Sequence, residues 1–145
     1  MLVNQILAMK ASGEIFTVAP TASVADAARL LSEKRIGAIV VSDDGKVPLG
    51  ILSERDIVRE LSRRGTAVLE LPIAEMMTRK LATCTIGEDA LVILDRMTQG
   101  RFRHLPVLDD EGAMIGIISI GDAVSARLKE LAAEKEALTG MIMGN

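Results

Sequence analysis

Tryptophan and tyrosine are absent from this chain of 145 residues, and phenylalanine occurs only twice. A planar ring bound here would have to lie mostly between aliphatic side chains. One cysteine, Cys84, excludes an internal disulfide and gives no thiolate metal cluster. It reads as a small apolar packing residue, not a nucleophile. One histidine, His104, leaves a His-based metal set or catalytic triad without partners. No apolar run approaches the roughly 20 residues that span a bilayer. The start, MLVNQILAMK, lacks the basic residues, long apolar stretch and cleavage site of a signal peptide, so the expected location is cytoplasmic, with no membrane partner. The net charge of −3 argues against a broad DNA or RNA surface, although a local basic pocket is compatible with it. There is no Walker loop, paired acid/base set or metal motif, so the chain is not expected to be an enzyme.

Against these absences stands an ordinary globular composition, 49% hydrophobic and 26% charged, in a chain long enough for one compact unit or two small repeats. The residues after Glu14 repeat 66 positions later without a gap. Thr17 corresponds to Thr83, Arg35 to Arg101, Val41 to Val107 and Asp43-Asp44 to Asp109-Asp110. The densest match sets Gly50-Ile51-Leu52-Ser53-x-x-Asp56-x-Val58 against Gly116-Ile117-Ile118-Ser119-x-x-Asp122-x-Val124.

Each copy reads as strand, helix, strand, strand, helix. In the first, Glu14–Val18 is a strand ended by Pro20. Ser23 and Asp26 form a capping box, and Val24, Ala27, Ala28 and Leu31 share one helical face. Ile36–Val41 is a buried strand, Ser42-Asp43-Asp44-Gly45 a turn, and Val47–Leu52 the returning strand. A helix from about Ser53 to Arg63 stops near Gly65. The second copy has strands at Leu81–Cys84, Arg103–Leu108 and Ala113–Ser119, and helices from about Glu88 to Gln99 and from near Gly121 to Leu138. The expected divisions are a first repeat over residues 1–68, a linker over 69–79, a second repeat over 80–130 and a helical tail over 131–145. Met76 and Met77 suit linker or dimer contacts, and Met141-Ile142-Met143 suit docking on a partner or subunit. Neither repeat covers its own sheet, so the expected fold is α/β (α+β), two β-α-β-β-α units packed face to face. Approximate two-fold symmetry then gives an equivalent cleft on either side of the contact.

A strand running into a helix through Ser-x-x-Asp sets two polar groups at a helix N-terminus, where free N–H groups and the dipole suit an anion. The aspartate can accept from a ribose diol, and the preceding glycine permits close approach of backbone or ligand. The same motif is also an ordinary capping box, so spacing alone leaves both readings open. Arg59, Arg63 and Arg64, following Arg55, are either a solvated face or an extension of an anion surface.

Taken together, the repeated Gly-Ile-x-Ser-x-x-Asp, the linker Ile73-Ala74-Glu75-Met76-Met77-Thr78 and the stretch Arg103-His104-Leu105-Pro106-Val107 resemble the cystathionine β-synthase (CBS) domain. The resemblance covers roughly residues 5 to 130 and implies a tandem pair, or Bateman module. It implies a regulatory homodimer binding AMP, or else ATP, ADP or NAD, between the repeats and acting on an unidentified partner protein. A main cleft would use Ser53, Arg55 and Asp56, with Arg103 and His104 at the phosphate and Ala82, Thr83 and Pro106 completing it. A second, weaker cleft would use Thr17, Gly37, Ala38, Ser119 and Asp122. Gly37 and Ala38 stand there in place of Arg103 and His104, and Gly121 in place of Arg55. Two rival readings are a ligand-free dimerisation or adaptor scaffold and an enzyme acting on adenine nucleotides.

Overall fold

In the computed structural model, which describes residues 1–10 and 13–144, the repeat offset is reproduced strand by strand. Strand β1 (Thr17–Val18) runs parallel to β2 (Ala38–Val41), which pairs antiparallel with β3 (Gly50–Ser53). In the second repeat β4 (His104–Leu108) pairs antiparallel with β5 (Met114–Ser119). Cys84 alone makes the parallel bridge to Val107, at the positions equivalent to Val18 and Val41. The helices are α1 (Val3–Met9), α2 (Val24–Lys34), α3 (Glu54–Arg64), α4 (Ala90–Gly100) and α5 (Ile120–Ile142). Among the described residues no helix is long and apolar enough to cross a membrane.

Local chemistry explains most of these boundaries. Ser23 caps α2 by accepting from the Asp26 amide, and Val24, Ala27 and Leu31 bury the face read from the sequence. α2 and α4 both stop at an arginine in the left-handed region, Arg35 at φ 54° and Arg101 at φ 58°. β3 starts later than the apolar pattern suggests, because Pro48 has no amide for the ladder and the Leu49 N–H donates to the Val41 carbonyl at 2.7 Å. The first strand of each repeat is also shorter than expected. Glu14, Ile15 and Phe16 leave the ladder and line a cleft instead. α5 runs unbroken past residue 130, so the expected boundary between repeat and tail falls inside one helix.

Two apolar cores result, and each is completed from outside its own repeat. Leu31, Ile39, Val41, Leu52 and Ile57 of the first core are joined by Ile73, which opens the 3-10 turn Ile73–Glu75, and by Met77 just after that turn. Met77 is thus buried in the first core, not held on the surface for a dimer contact. Ile93, Met97, Leu105, Val107 and Ile118 of the second core are joined by Val3 and Ile6 of α1, an element the sequence pattern did not reveal. Backbone bonds seal the two joints equivalently: the Val24 N–H donates to the Leu71 carbonyl, and the Ala90 N–H to the Met1 carbonyl, both at 2.9 Å.

These joints use the two repeated glycines. A Cβ on Gly50 would lie 2.6 Å from the Met77 sulfur and 3.0 Å from the Thr78 carbonyl oxygen. On Gly116 it would lie 2.7 Å from Leu7 Cδ2. Leu7 is a flexible side chain, whereas the Thr78 carbonyl is fixed by pairing with Ile51. We expect Gly50→Ala to cost about 1–3 kcal/mol, in the range of core overpacking, and Gly116→Ala less. Urea unfolding of the two variants measures the difference, and equal costs would contradict this account of the joints.

Candidate functional site

Ser53 and Ser119 each stand where a strand becomes a helix. The Ser53 Oγ accepts from the Asp56 amide at 3.2 Å and Asp56 Oδ2 accepts from the Ser53 amide at 2.9 Å; the corresponding distances for Ser119 and Asp122 are 3.1 and 2.9 Å. The first amide of each helix is also taken, Glu54 by the Gly37 carbonyl and Ile120 by the Arg103 carbonyl. Both motifs therefore form complete capping boxes. Among the described residues, the first three helical amides leave only those of Arg55 and Gly121 to a ligand. Charge recognition at these helix starts must come chiefly from side chains.

Each motif faces a cleft walled by both repeats. The Asp56 cleft, about 390 Å³, is lined by Ser53, Arg55 and Asp56 together with Arg103 and His104. Arg59 and Arg101 add to it two guanidinium groups. The Asp122 cleft, about 540 Å³, combines Ser119 and Asp122 with Gly37 and Ala38. It also receives Lys10, Lys34 and Arg35, none of which the repeat comparison placed there. Gly37, Ala38 and His104 line both clefts and form the wall between them.

Four expected residues lie off these walls. Thr17 is held in β1 against Val40, and Phe16 lines the Asp122 cleft in its place. Ala82 packs against the second core, and Pro106 is buried in β4 with its carbonyl accepting from the Cys84 amide. The Thr83 carbonyl accepts from Arg96, whose guanidinium also pairs with Glu88. The mostly aliphatic walls expected are joined by one aromatic ring in each cleft. The two phenylalanines are divided between the clefts, Phe16 in one and Phe102 in the other. An aromatic entering a repeat just before a strand was visible in the sequence, but not the cleft it would face.

Ion pairs differ between the two carboxylates. Asp56 Oδ1 is paired with the half-exposed Arg59 at 3.1 Å, while Arg63 and Arg64 pair with Glu60 as a solvated face. Asp122 Oδ2 is paired with Lys10 at 3.0 Å, both groups being about three-quarters covered. Burial works to raise the Asp122 pKa, but the Ser119 amide and the Lys10 ammonium outweigh it and hold the carboxyl below the ordinary range. Burial lowers the pKa of His104, with Asp122 and Glu54 opposing and Lys10 and Arg103 reinforcing the shift. The ring packs on Gly37, where a Cβ would lie 3.3 Å from its Cε1. Cys84 is buried, and desolvation together with nearby Glu88 pushes its thiol up to about 12, so it is no thiolate nucleophile at neutral pH. Among the described residues no group of three or more His, Cys, Asp or Glu side chains is arranged to hold a metal ion.

Two small α/β repeats enclosing paired clefts define a tandem-repeat module, and comparison with known proteins places it. The CBS domain profile matches residues 4–63 and 73–129, and the chain belongs to the CBS-domain family. It is 36% identical over 126 residues to the mitochondrial CBS domain-containing protein CBSX3 of Arabidopsis thaliana, covering 84% of this chain but 61% of that protein. The CBS-domain protein ATU1752 of Agrobacterium tumefaciens superposes with a TM-score of 0.82 at 40% identity, covering 87% of this chain and 92% of that one. Two further solved neighbours carry ligands. PAE2072 of Pyrobaculum aerophilum is complexed with AMP (TM-score 0.77, 26% identity, 92% and 99% coverage). The CBS pair of MJ0100 is complexed with 5-methylthioadenosine and S-adenosyl-L-methionine (0.74, 25%, 93% and 98%).

The lowered His104 pKa has a consequence for stability. Above the ordinary value of about 6.5, His104 is neutral in both the folded and unfolded chain. As pH falls through that value the unfolded chain takes up a proton that the folded one refuses, so stability declines toward the depressed folded pKa. His104→Asn should flatten this slope, leaving the contributions of the lowered carboxyls, Asp122 and Glu88 among them, which are lost only as pH falls through the ordinary carboxylate range of about 4 and below. Thermal midpoints of both proteins between neutral and mildly acidic pH provide the check. A His104→Asn profile parallel to that of the parent would contradict the buried neutral imidazole.

Proposed function

We propose that this chain is a regulatory module without a reaction of its own, which binds an adenosyl nucleotide between its repeats. AMP is the foremost candidate, with ATP, ADP and NAD as alternatives. The observation that carries the reading is that each Ser-x-x-Asp helix start faces a cleft walled by both repeats and lined with cationic side chains. The AMP bound to PAE2072 and the adenosyl compounds bound to MJ0100 support it. In this reading Asp56 and Asp122 accept from ribose hydroxyls, and the arginines and lysines meet the phosphate. A ligand touching both repeats favours the arrangement that best closes on it, and so shifts the population of states presented to a partner protein.

The regulated protein is unidentified. A homodimer in the cytoplasm is part of the proposal. Exposed apolar side chains on three helices, Val58, Leu91, Val92, Val124 and Leu128, support the dimer. A second reading, the ligand-free scaffold, is favoured by one observation: both aspartates are already engaged in capping boxes and ion pairs.

Thermal melts with AMP, ATP, ADP, NAD and S-adenosylmethionine added separately distinguish the two. A ligand that binds only the folded state stabilises it by about 2.7 kcal/mol at a hundredfold excess over its Kd. Asp56→Asn and Asp122→Asn should each weaken binding in their own cleft by about 1.5–3 kcal/mol, roughly tenfold or more in Kd. Because the chain lacks tryptophan and tyrosine, any adenine carried through purification will dominate its ultraviolet spectrum. If no adenosyl compound moves the melt and none is released on denaturation, the scaffold reading replaces this one.

A further inference from the structure

We infer that the Asp122 cleft selects adenosyl ligands bearing a phosphate over neutral or sulfonium-bearing ones, and that Lys10 sets the preference. The inference rests on the adenosyl-binding reading above and assigns a ligand class to one of its two clefts. Matching the repeats residue by residue leaves this cleft short of charge, since Gly37, Ala38 and Gly121 occupy the positions of Arg103, His104 and Arg55. The fold supplies the charge from elsewhere. Lys10 comes from the segment after α1, and Lys34 and Arg35 come from the end of α2.

Lys10 is held in a defined place. Val3 and Ile6 of the preceding helix are buried in the second core, and the ammonium donates to the Ile117 carbonyl at 2.8 Å and to Asp122 Oδ2 at 3.0 Å. An ammonium has three N–H donors, and among the described residues two partners engage it, which leaves one donor for a ligand oxygen. Asp122 Oδ2 takes both the Ser119 amide and Lys10, and neither of them uses Oδ1. The pair therefore presents an acceptor for a ribose hydroxyl beside a donor for a phosphate oxygen. In the first repeat the carbonyl equivalent to Ile117, that of Ile51, is taken by the Thr78 amide, so no lysine enters the Asp56 cleft by this route.

The other two cations reinforce the selection. Lys34 lies 5.1 Å from the centre of the Phe16 ring, and both line the cleft. Three cations stand against the two carboxylates of Glu14 and Asp122 on these walls. A sulfonium entering here meets like charge, and a neutral nucleoside leaves the third Lys10 donor without an anionic partner. A phosphate satisfies it with a charge-assisted hydrogen bond, about twice the strength of a neutral one.

Isoleucine methyl resonances read the clefts separately, because Ile15, Ile36 and Ile117 line the Asp122 cleft while Ile51 and Ile120 line the Asp56 cleft. Titrating the full chain with AMP, adenosine and S-adenosylmethionine should give an AMP Kd at Ile117 about tenfold or more below the other two. Lys10→Met, which keeps an apolar stem, should bring the AMP and adenosine values together at Ile117 and leave the Ile51 and Ile120 curves unchanged. Lys10→Arg should keep the preference. Equal AMP and adenosine binding at Ile117 in the parent protein overturns the inference, as does a preference that survives Lys10→Met. Tighter AMP binding in Lys10→Met also overturns it, because Lys10 would then be a competitor for Asp122. Responses at Ile51 and Ile120 with silence at Ile117 sink this inference and leave the adenosyl-binding reading intact. Silence at every methyl with every ligand sinks both.

Discussion

Neither repeat closes its own core, and much else in the molecule follows from that. The linker supplies Ile73 and Met77 to the first repeat, and α1 supplies Val3 and Ile6 to the second. Burying a side chain of this size is worth about 1.5–3 kcal/mol, a large share of the stability of a small domain. The segment before the first repeat is thereby part of the second, and the chain must cross between them to begin β1. That crossing carries Lys10 to the edge of the Asp122 cleft and turns Ile15 and Phe16 into its wall. The mutual covering is also why Gly50 and Gly116 recur at the same offset, each facing the segment that closes its repeat.

The repeated serine and aspartate have a structural duty whether or not a ligand is present. Each pair completes a helix start, and each aspartate keeps one oxygen on a backbone amide. The ion pairs then set the two clefts apart. Arg59 reaches Asp56 from one turn along the same helix, whereas Lys10 reaches Asp122 from a different element and binds a strand carbonyl as well. A local pair on a solvated helix face is easily exchanged; a pair anchored at both ends is not.

What the sequence disclosed was whatever repeats or is local. The offset, the capping boxes at Ser23, Ser53 and Ser119, the buried face of α2, and the meeting of Asp56 with Arg103 could all be read from spacing or from the family resemblance. What it hid depends on contacts between distant segments that have no counterpart in the other repeat. Comparing Leu81–Cys84 with Glu14–Val18 could not show that Arg96 would take the Thr83 carbonyl, or that only Cys84 would reach its partner strand. Lys10 lies before the repeat begins, so no alignment of one copy on the other could place it. Lys34 and Arg35 were visible as a helix end, but the direction in which that end points is set by the packing of α2.

The wall between the clefts is a single layer. Gly37, Ala38 and His104 present one surface to the Asp56 cleft and the opposite surface to the Asp122 cleft, and the imidazole rests directly on Gly37 with no Cβ between. A shift of the His104 ring toward one cleft takes room from it and gives room to the other, so the two clefts are neighbours through a single side chain.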